Sequence, residues 1–227
     1  MMKNNYYAQK LFSEKLYLVY QTQLDRVKQY LEAEIRFICR QLQGREKILE
    51  LGAGYGRIMK ELAPFADSLV GVDISEETIQ FGKKYLKDVP NCRLLMMDAH
   101  DLQFEPQFDV VICLQNGLSA IKGSAKNLIK EGLKVLNPGG KAYFSSYSSK
   151  FWEHRLAWFY EQADQGLLEE IDEDKTKNGV IVCKDGFTAT TYLEEDMVNL
   201  GLSTGYPYQV KEIDSSSLFL VIEKKQT

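Results

Sequence analysis

The run Lys47-Ile48-Leu49-Glu50-Leu51-Gly52-Ala53-Gly54-Tyr55-Gly56 decides the fold. A short apolar stretch enters a turn with glycine at 52, 54 and 56, and a helical pattern from Ile58 to Ala63 follows, stopped by Pro64. Glycine suits a chain that must turn tightly or bring bare backbone against another group. Strand, glycine turn and helix in that order open an α/β unit. The same rhythm continues outward. Leu69 to Val72 reads as a strand ending at Asp73, and Ser75 is placed to cap a helix with Glu76 and Glu77 in its first turn. Arg93 to Met97 reads as a strand ending at Asp98, and Phe108 to Leu114 as a strand buried on both faces. Leu128, Ile129, Gly132, Leu133 and Leu136 mark one side of a helix that ends in Asn137-Pro138-Gly139-Gly140, and Lys141 to Tyr147 is a fifth strand. Strands alternating with helices predict right-handed crossovers and a mainly parallel sheet covered on both faces.

The flanks differ. Residues 6–20 have helical composition, and Leu24, Val27, Leu31, Ile35, Ile38 and Leu42 step by three and four along one helix face before Gly44. After Tyr147 the rhythm breaks: Phe151 to Gln165 reads as helix, and Val180 to Lys184 with Phe187 to Thr191 as strands around Asp185-Gly186. Thr191 and Glu194 suggest a capping box for a short helix, and Tyr208 to Ile213 pairs with Leu218 to Glu223 through Asp214-Ser215-Ser216-Ser217. The expectation is one α/β domain over 1–227, Rossmann-like, with a seven-stranded, mainly parallel sheet whose last strand is antiparallel. It comprises a helical extension (1–43), a core (44–147), an inserted helix-plus-strands module (148–191), and a last helix with a terminal hairpin (192–227).

The 227 residues, 44% hydrophobic and 26% charged, can bury an ample core, so disorder is excluded. A net charge of −4 makes a poor partner for phosphate backbones or anionic lipid. No apolar stretch approaches the roughly 20 residues of a membrane span, and the start lacks a signal-peptide core. Cys39, Cys92, Cys113 and Cys183 are scattered and His100 and His154 stand apart, so neither a disulfide framework nor a metal site is expected; thiols in the reducing cytoplasm are.

The glycine turn is the strongest chemical signal. A nicotinamide-dinucleotide fingerprint, G-x-G-x-x-G, would place a small residue at position 57, where Arg57 stands. The pattern instead resembles motif I of the class I S-adenosylmethionine-dependent methyltransferases, an acidic residue followed by G-x-G-x-G. The resemblance continues in order through Val72-Asp73-Ile74-Ser75, Met97-Asp98-Ala99, Phe108-Asp109-Val110-Val111-Ile112-Cys113 and Leu136-Asn137-Pro138-Gly139-Gly140, covering about residues 44–147. It implies S-adenosyl-L-methionine as cofactor and S-adenosyl-L-homocysteine as product. Gly52, Ala53 and Gly54 would pack against the methionyl arm. Asp73, 21 positions after Gly52 at a strand end, would accept from the ribose hydroxyls. Ile74 would cover an adenine face, Asp98 and the Ala99 amide would meet the adenine edge, and Glu50 would orient the loop.

After the fourth strand stands Leu114-Gln115-Asn116-Gly117, without the Asn/Asp-Pro-Pro-aromatic motif of enzymes that methylate a flipped base. With the acidic charge this argues against a nucleic-acid partner. Asn116 resembles the small polar residue that small-molecule members carry near the methionyl group. An aromatic cluster from Tyr143 to Tyr160 holds both tryptophans and reads either as core or as pocket wall. Tyr147, His154 and Arg155 are candidates for handling an acceptor, although adjacent helical residues point about 100° apart. Tyr17 and Tyr20 share a helix face and suggest a lid, with Tyr6 and Tyr7 upstream. Seven acids between Glu161 and Asp174 read as a solvated face or a docking site for a cationic substrate. The expected activity is methyl transfer to a small molecule, mainly by proximity and desolvation. A protein or RNA substrate, and a non-catalytic binding module, are the alternatives.

Overall fold

A computed structural model describes residues 14–226. Helix α1 (Glu14–Val19) and helix α2 (Asp25–Cys39) precede strand β1 (Lys47–Leu51), and Tyr6 and Tyr7 lie outside the described residues. Next come α3 (Arg57–Leu62), β2 (Ser68–Asp73), α4 (Glu76–Tyr85), β3 (Cys92–Met96), β4 (Phe108–Cys113), α5 (Gly117–Ala120), α6 (Ala125–Lys134) and β5 (Leu136–Tyr147). The chain then forms α7 (Trp152–Asp164), β6 (Val180–Val182), β7 (Thr188–Thr190), α8 (Glu194–Leu202), β8 (Tyr208–Ile213) and β9 (Ser217–Glu223).

Seven strands make one sheet in the order β3-β2-β1-β4-β5-β9-β8, and β9 alone runs antiparallel to its neighbours. The Rossmann-like α/β architecture is therefore as expected. Strands β6 and β7 pair separately as a two-stranded ribbon. Side chains alternate across a strand, which explains the near-continuous apolar strand sequences. Leu49, Val111 and Cys113 face a core closed by Leu128, Ile129 and Leu133 of α6 and Met197 and Leu200 of α8. Ile48, Val110 and Ile112 face the opposite core, closed by Ile38, Ile58, Met59, Leu62 and Ile79. A third cluster joins α2 to the segment after β5, through Val27, Tyr30, Tyr147, Phe151, Trp158 and Phe159. Most of the Tyr143–Tyr160 aromatics are thus buried packing.

Three local readings are corrected. The cap before α8 is not the Thr191–Glu194 box: the Asp196 carboxylate accepts from the Leu193 amide at 2.9 Å, one residue pair further along. Asn137-Pro138-Gly139-Gly140 is not a turn ahead of the fifth strand but a bulge within β5, because Phe108 pairs with Leu136 and Val110 with Lys141. Asp109 anchors that bulge and the start of β1, accepting from Asn137 Nδ2 at 2.8 Å and from the Lys47 amide at 2.9 Å. Helix α2 ends at Cys39, short of Leu42.

The β8–β9 turn passes through left-handed residues, Asp214 at φ 56° and Ser215 at φ 51°. Arg26 of α2 clamps it, donating to Asp214 Oδ2 at 2.7 Å and Asp214 O at 2.6 Å. Among the described residues no helix is long and apolar enough to cross a membrane.

Candidate functional site

Between β1 and β4 the strand order reverses direction, and in such sheets the crevice beyond the strands' carboxyl ends is where ligands bind. A cleft of about 530 Å³ lies there. Its floor is the glycine turn: Gly52, Gly54 and Gly56 have φ of 70°, 55° and 85°, and the Gly52 and Ala53 amides both donate to Val72 O, at 2.9 and 3.0 Å. A left-handed backbone strains any other residue. A β-carbon at Gly52 would come within 2.9 Å of Ile121 Cδ1, across the cleft.

Asp73 closes the end of β2. Its Oδ2 accepts from the Gly54 amide and its Oδ1 from the Ser75 amide, each at 3.0 Å, so the carboxylate ties the glycine turn to the start of α4. Each oxygen keeps a second lone pair facing the cleft that Asp73 lines. Burial raises its pKa, and the amides of Ser75 and Gly54 pull the other way. Ile74, Met97, Asp98, Ala99 and His100 line the neighbouring wall, where Asp98 Oδ1 accepts from the His100 amide at 2.8 Å. Glu50 is 3% exposed beneath the turn; burial pushes its carboxyl up to about 8, against the pull of the nearby Arg57 cation.

Of the expected site residues, Glu50, Gly52, Ala53, Gly54, Asp73, Ile74, Asp98, Ala99 and Tyr20 line this one cleft. The others lie elsewhere. Asn116 is buried with both ends of its amide engaged: Nδ2 donates to Thr190 O at 3.0 Å and Oδ1 accepts from Ser146 Oγ at 2.9 Å. It locks the ribbon onto β5 instead of facing the cleft. The residue before it, Gln115, lines the cleft and was missed. Both are left-handed, with φ of 53° and 61°, and that doubly strained elbow turns Asn116 away; nothing in the local sequence marks it. Arg57, Tyr55, Ile121 and Lys122 also line the cleft without having been singled out as ligand contacts.

Tyr17 packs its ring on Tyr55, Phe81 and Tyr85, with centroids 5.8 to 6.4 Å away, and so fastens α1 to α4. Tyr20 covers the cleft, its ring 4.4 Å from the Arg57 guanidinium carbon. The corner between α1 and α2 is held by α7: Trp158 Nε1 donates to Val19 O at 3.2 Å, and Glu161 accepts from Thr22 Oγ1 and the Gln23 amide.

Tyr147 is buried against Tyr30 and Phe151, outside the cleft. Arg155 is fully buried and knits the ribbon: its guanidinium donates to Gly179 O at 2.9 Å, Thr191 Oγ1 at 2.6 Å and Ala189 O at 2.7 Å, with Tyr147 beneath it at 4.5 Å. His154 is exposed and touches Phe151, not the cleft. The acidic run is largely spoken for. Glu161 holds the α1–α2 corner, Glu170 pairs with Lys184, Asp172 with Lys175 at 2.6 Å, and Glu173 accepts from Tyr160. A cationic substrate would have to displace those partners.

Residues 48–140 match a family model described as a methyltransferase domain. A ubiquinone biosynthesis O-methyltransferase from Hydrogenovibrio crunogenus is 28% identical over 130 residues, 55% of this chain and 53% of that protein. A demethylmenaquinone methyltransferase from Clavibacter sepedonicus is 31% identical over 104 residues, 46% of this chain and 42% of that one. The chain thus spans about half the length of the curated relatives it matches. The crystal structure of a Pyrococcus horikoshii protein superposes with a TM-score of 0.65 at 21% identity, covering 98% of this chain and 99% of the other, which shows a shared fold. The matched segment holds the glycine turn, Asp73 and Asp98 on the first three strands of the sheet, and with it this chain belongs to the class I S-adenosylmethionine-dependent methyltransferases.

Proposed function

We propose that the protein transfers a methyl group from S-adenosylmethionine to a small-molecule acceptor. The observation that carries this reading is the cleft itself: a glycine floor at the end of β1, with Asp73 and Asp98 beyond the ends of β2 and β3. The residues fit the cofactor. The space over Gly52 is one that a β-carbon would fill, and Asp73 offers two oxygens in reach of a diol. Gly52, Ala53 and Gly54 would lie against the methionyl arm, and Asp73 would accept from the ribose hydroxyls. Asp98 and the Ala99 amide would take the adenine edge, with Ile74 over its face. Glu50 supports the turn from below, and Tyr20 covers the chamber. When bound, the cofactor supplies an electrophilic methyl group on a sulfonium sulfur. The chain's own contribution is to hold an acceptor in line with that methyl and keep water out, which can supply much of the rate without a catalytic side chain.

A small-molecule acceptor is supported by the biosynthetic names of the relatives. It is also supported by the enclosure of the cleft under α1 and by the mild negative charge, which disfavours RNA. Four free cysteines support a cytoplasmic location.

The test is calorimetry with S-adenosylhomocysteine, 5′-methylthioadenosine and NAD, followed by incubation of the protein with methyl-labelled cofactor and separate metabolite, protein and RNA fractions. Binding of NAD with neither adenosine thioether bound would reject the reading. Label appearing in the protein or RNA fraction, with none in metabolites, would reject a small-molecule acceptor.

A further inference from the structure

Arg57 stands at the first position of α3, immediately after Gly56 of the turn, and lines the cleft. Its Nε and Nη2 are shielded from solvent and have no hydrogen-bond partner. None of the ion pairs among the described residues includes it, and residues 1–13 contain no Asp or Glu that could serve. A guanidinium left this way is costly, because its desolvation is offset only by partners in its plane. The ring of Tyr20, at 4.4 Å, covers a face of the guanidinium and cannot satisfy its in-plane N–H groups. The nearest carboxyls do not neutralise it. Glu50 is pushed up to about 8 and Glu34 up to about 7 by burial, even with Arg57 lowering both, so neither offers a full negative charge near neutral pH. Glu50 Oε2 is likewise without a partner. The cleft therefore carries a fixed cation whose counter-charge the chain does not provide.

We propose that Arg57 is a carboxylate-binding site at the glycine-turn end of the cleft. A planar carboxylate meets a guanidinium edge with two parallel hydrogen bonds, which the stacked Tyr20 pre-orients. Two sources carry that group: the α-carboxylate of the cofactor's methionyl arm, or a carboxylate on the acceptor. This inference rests on the cofactor reading above.

The experiment is calorimetry on the full chain and on Arg57→Gln and Arg57→Lys. The probes are S-adenosylhomocysteine, its analogue lacking the α-carboxylate, and 5′-methylthioadenosine, which lacks the whole amino-acid arm. If the cofactor supplies the carboxylate, the wild type binds S-adenosylhomocysteine about 10- to 100-fold more tightly than the decarboxylated analogue. Arg57→Gln then abolishes that preference, Arg57→Lys restores part of it, and 5′-methylthioadenosine binds all three proteins alike. If the acceptor supplies it, S-adenosylhomocysteine binds Arg57→Gln as tightly as wild type. Benzoate then binds the S-adenosylhomocysteine-saturated wild type and not the saturated variant. A variant that alters neither measurement overturns the proposal, as does one that weakens 5′-methylthioadenosine as much as S-adenosylhomocysteine. Failure of the wild type to bind any of the adenosine thioethers would instead reject the cofactor reading.

Discussion

Replacing Glu34 with glutamine exposes how the buried acids make stability depend on pH. Glu34 lies on α2 with 0% exposure, its Oε2 accepting from the Gln115 amide at 2.8 Å and from Ser145 Oγ at 3.0 Å. Burial raises its pKa to about 7, and those hydrogen bonds offset part of the rise. In the unfolded chain a glutamate titrates near 4.3. Between those values the folded protein holds a proton that the unfolded chain has released. The stabilisation is complete below the unfolded pKa and drains away as pH rises through the folded one, at up to about 1.4 kcal/mol per pH unit. The whole shift corresponds to about 3 kcal/mol. Glutamine can still accept from the Gln115 amide and cannot ionise. Urea unfolding at pH 5, 6, 7 and 8, followed by tryptophan fluorescence, measures the effect. Glu50, pushed up to about 8, adds a similar decline to both proteins and cancels in the difference. Wild type should lose about 2–3 kcal/mol relative to Glu34→Gln between pH 5 and pH 8, a midpoint shift of about 1 M urea. Parallel curves would refute the assignment of a raised pKa to Glu34.

Other outcomes follow from the same contacts. Asp73→Ala removes the acceptor for the Gly54 and Ser75 amides and the expected ribose contact, so S-adenosylhomocysteine should bind about 10- to 100-fold more weakly by calorimetry; an unchanged dissociation constant would remove Asp73 from the site. Arg155→Met deletes three buried hydrogen bonds and should cost about 3–5 kcal/mol in urea unfolding, while the folded variant keeps its affinity for S-adenosylhomocysteine within about threefold. Lost affinity at unchanged stability would return Arg155 to the ligand site. His154→Ala, at an exposed position outside the cleft, should change stability by less than about 0.5 kcal/mol and leave methyl transfer unaltered in the labelled-cofactor assay.

Much of the sheet was legible because its signals are local. Period-two burial, glycine at a turn that needs positive φ, and an acid at each strand end are all written within a few residues of one another, and crossover handedness then limits the topology. The cleft residues carried by those turns, from Glu50 to Ala99, were legible for the same reason. Errors arose where a residue's direction depends on partners far along the chain. Asn116 faces Thr190 and Ser146, 74 and 30 positions away, and Gln115 takes its place at the cleft. Arg155 and Tyr147 read as chemistry because buried polar and aromatic groups resemble a pocket in sequence, whereas folding makes them the joint between the ribbon and the sheet.

The sequence by itself determined the alternation of elements, the glycine turn after β1 and the acids beyond the next two strands, since each depends on neighbouring residues alone. Only the tertiary structure decided that α1 roofs the cleft through Tyr20, that the acidic run is occupied by its own lysines and the α1–α2 corner, and that Arg57 faces the cleft with no anion of the chain beside it. Those are outcomes of long-range packing and of charge left over once every other partner is assigned, and no window of sequence contains them.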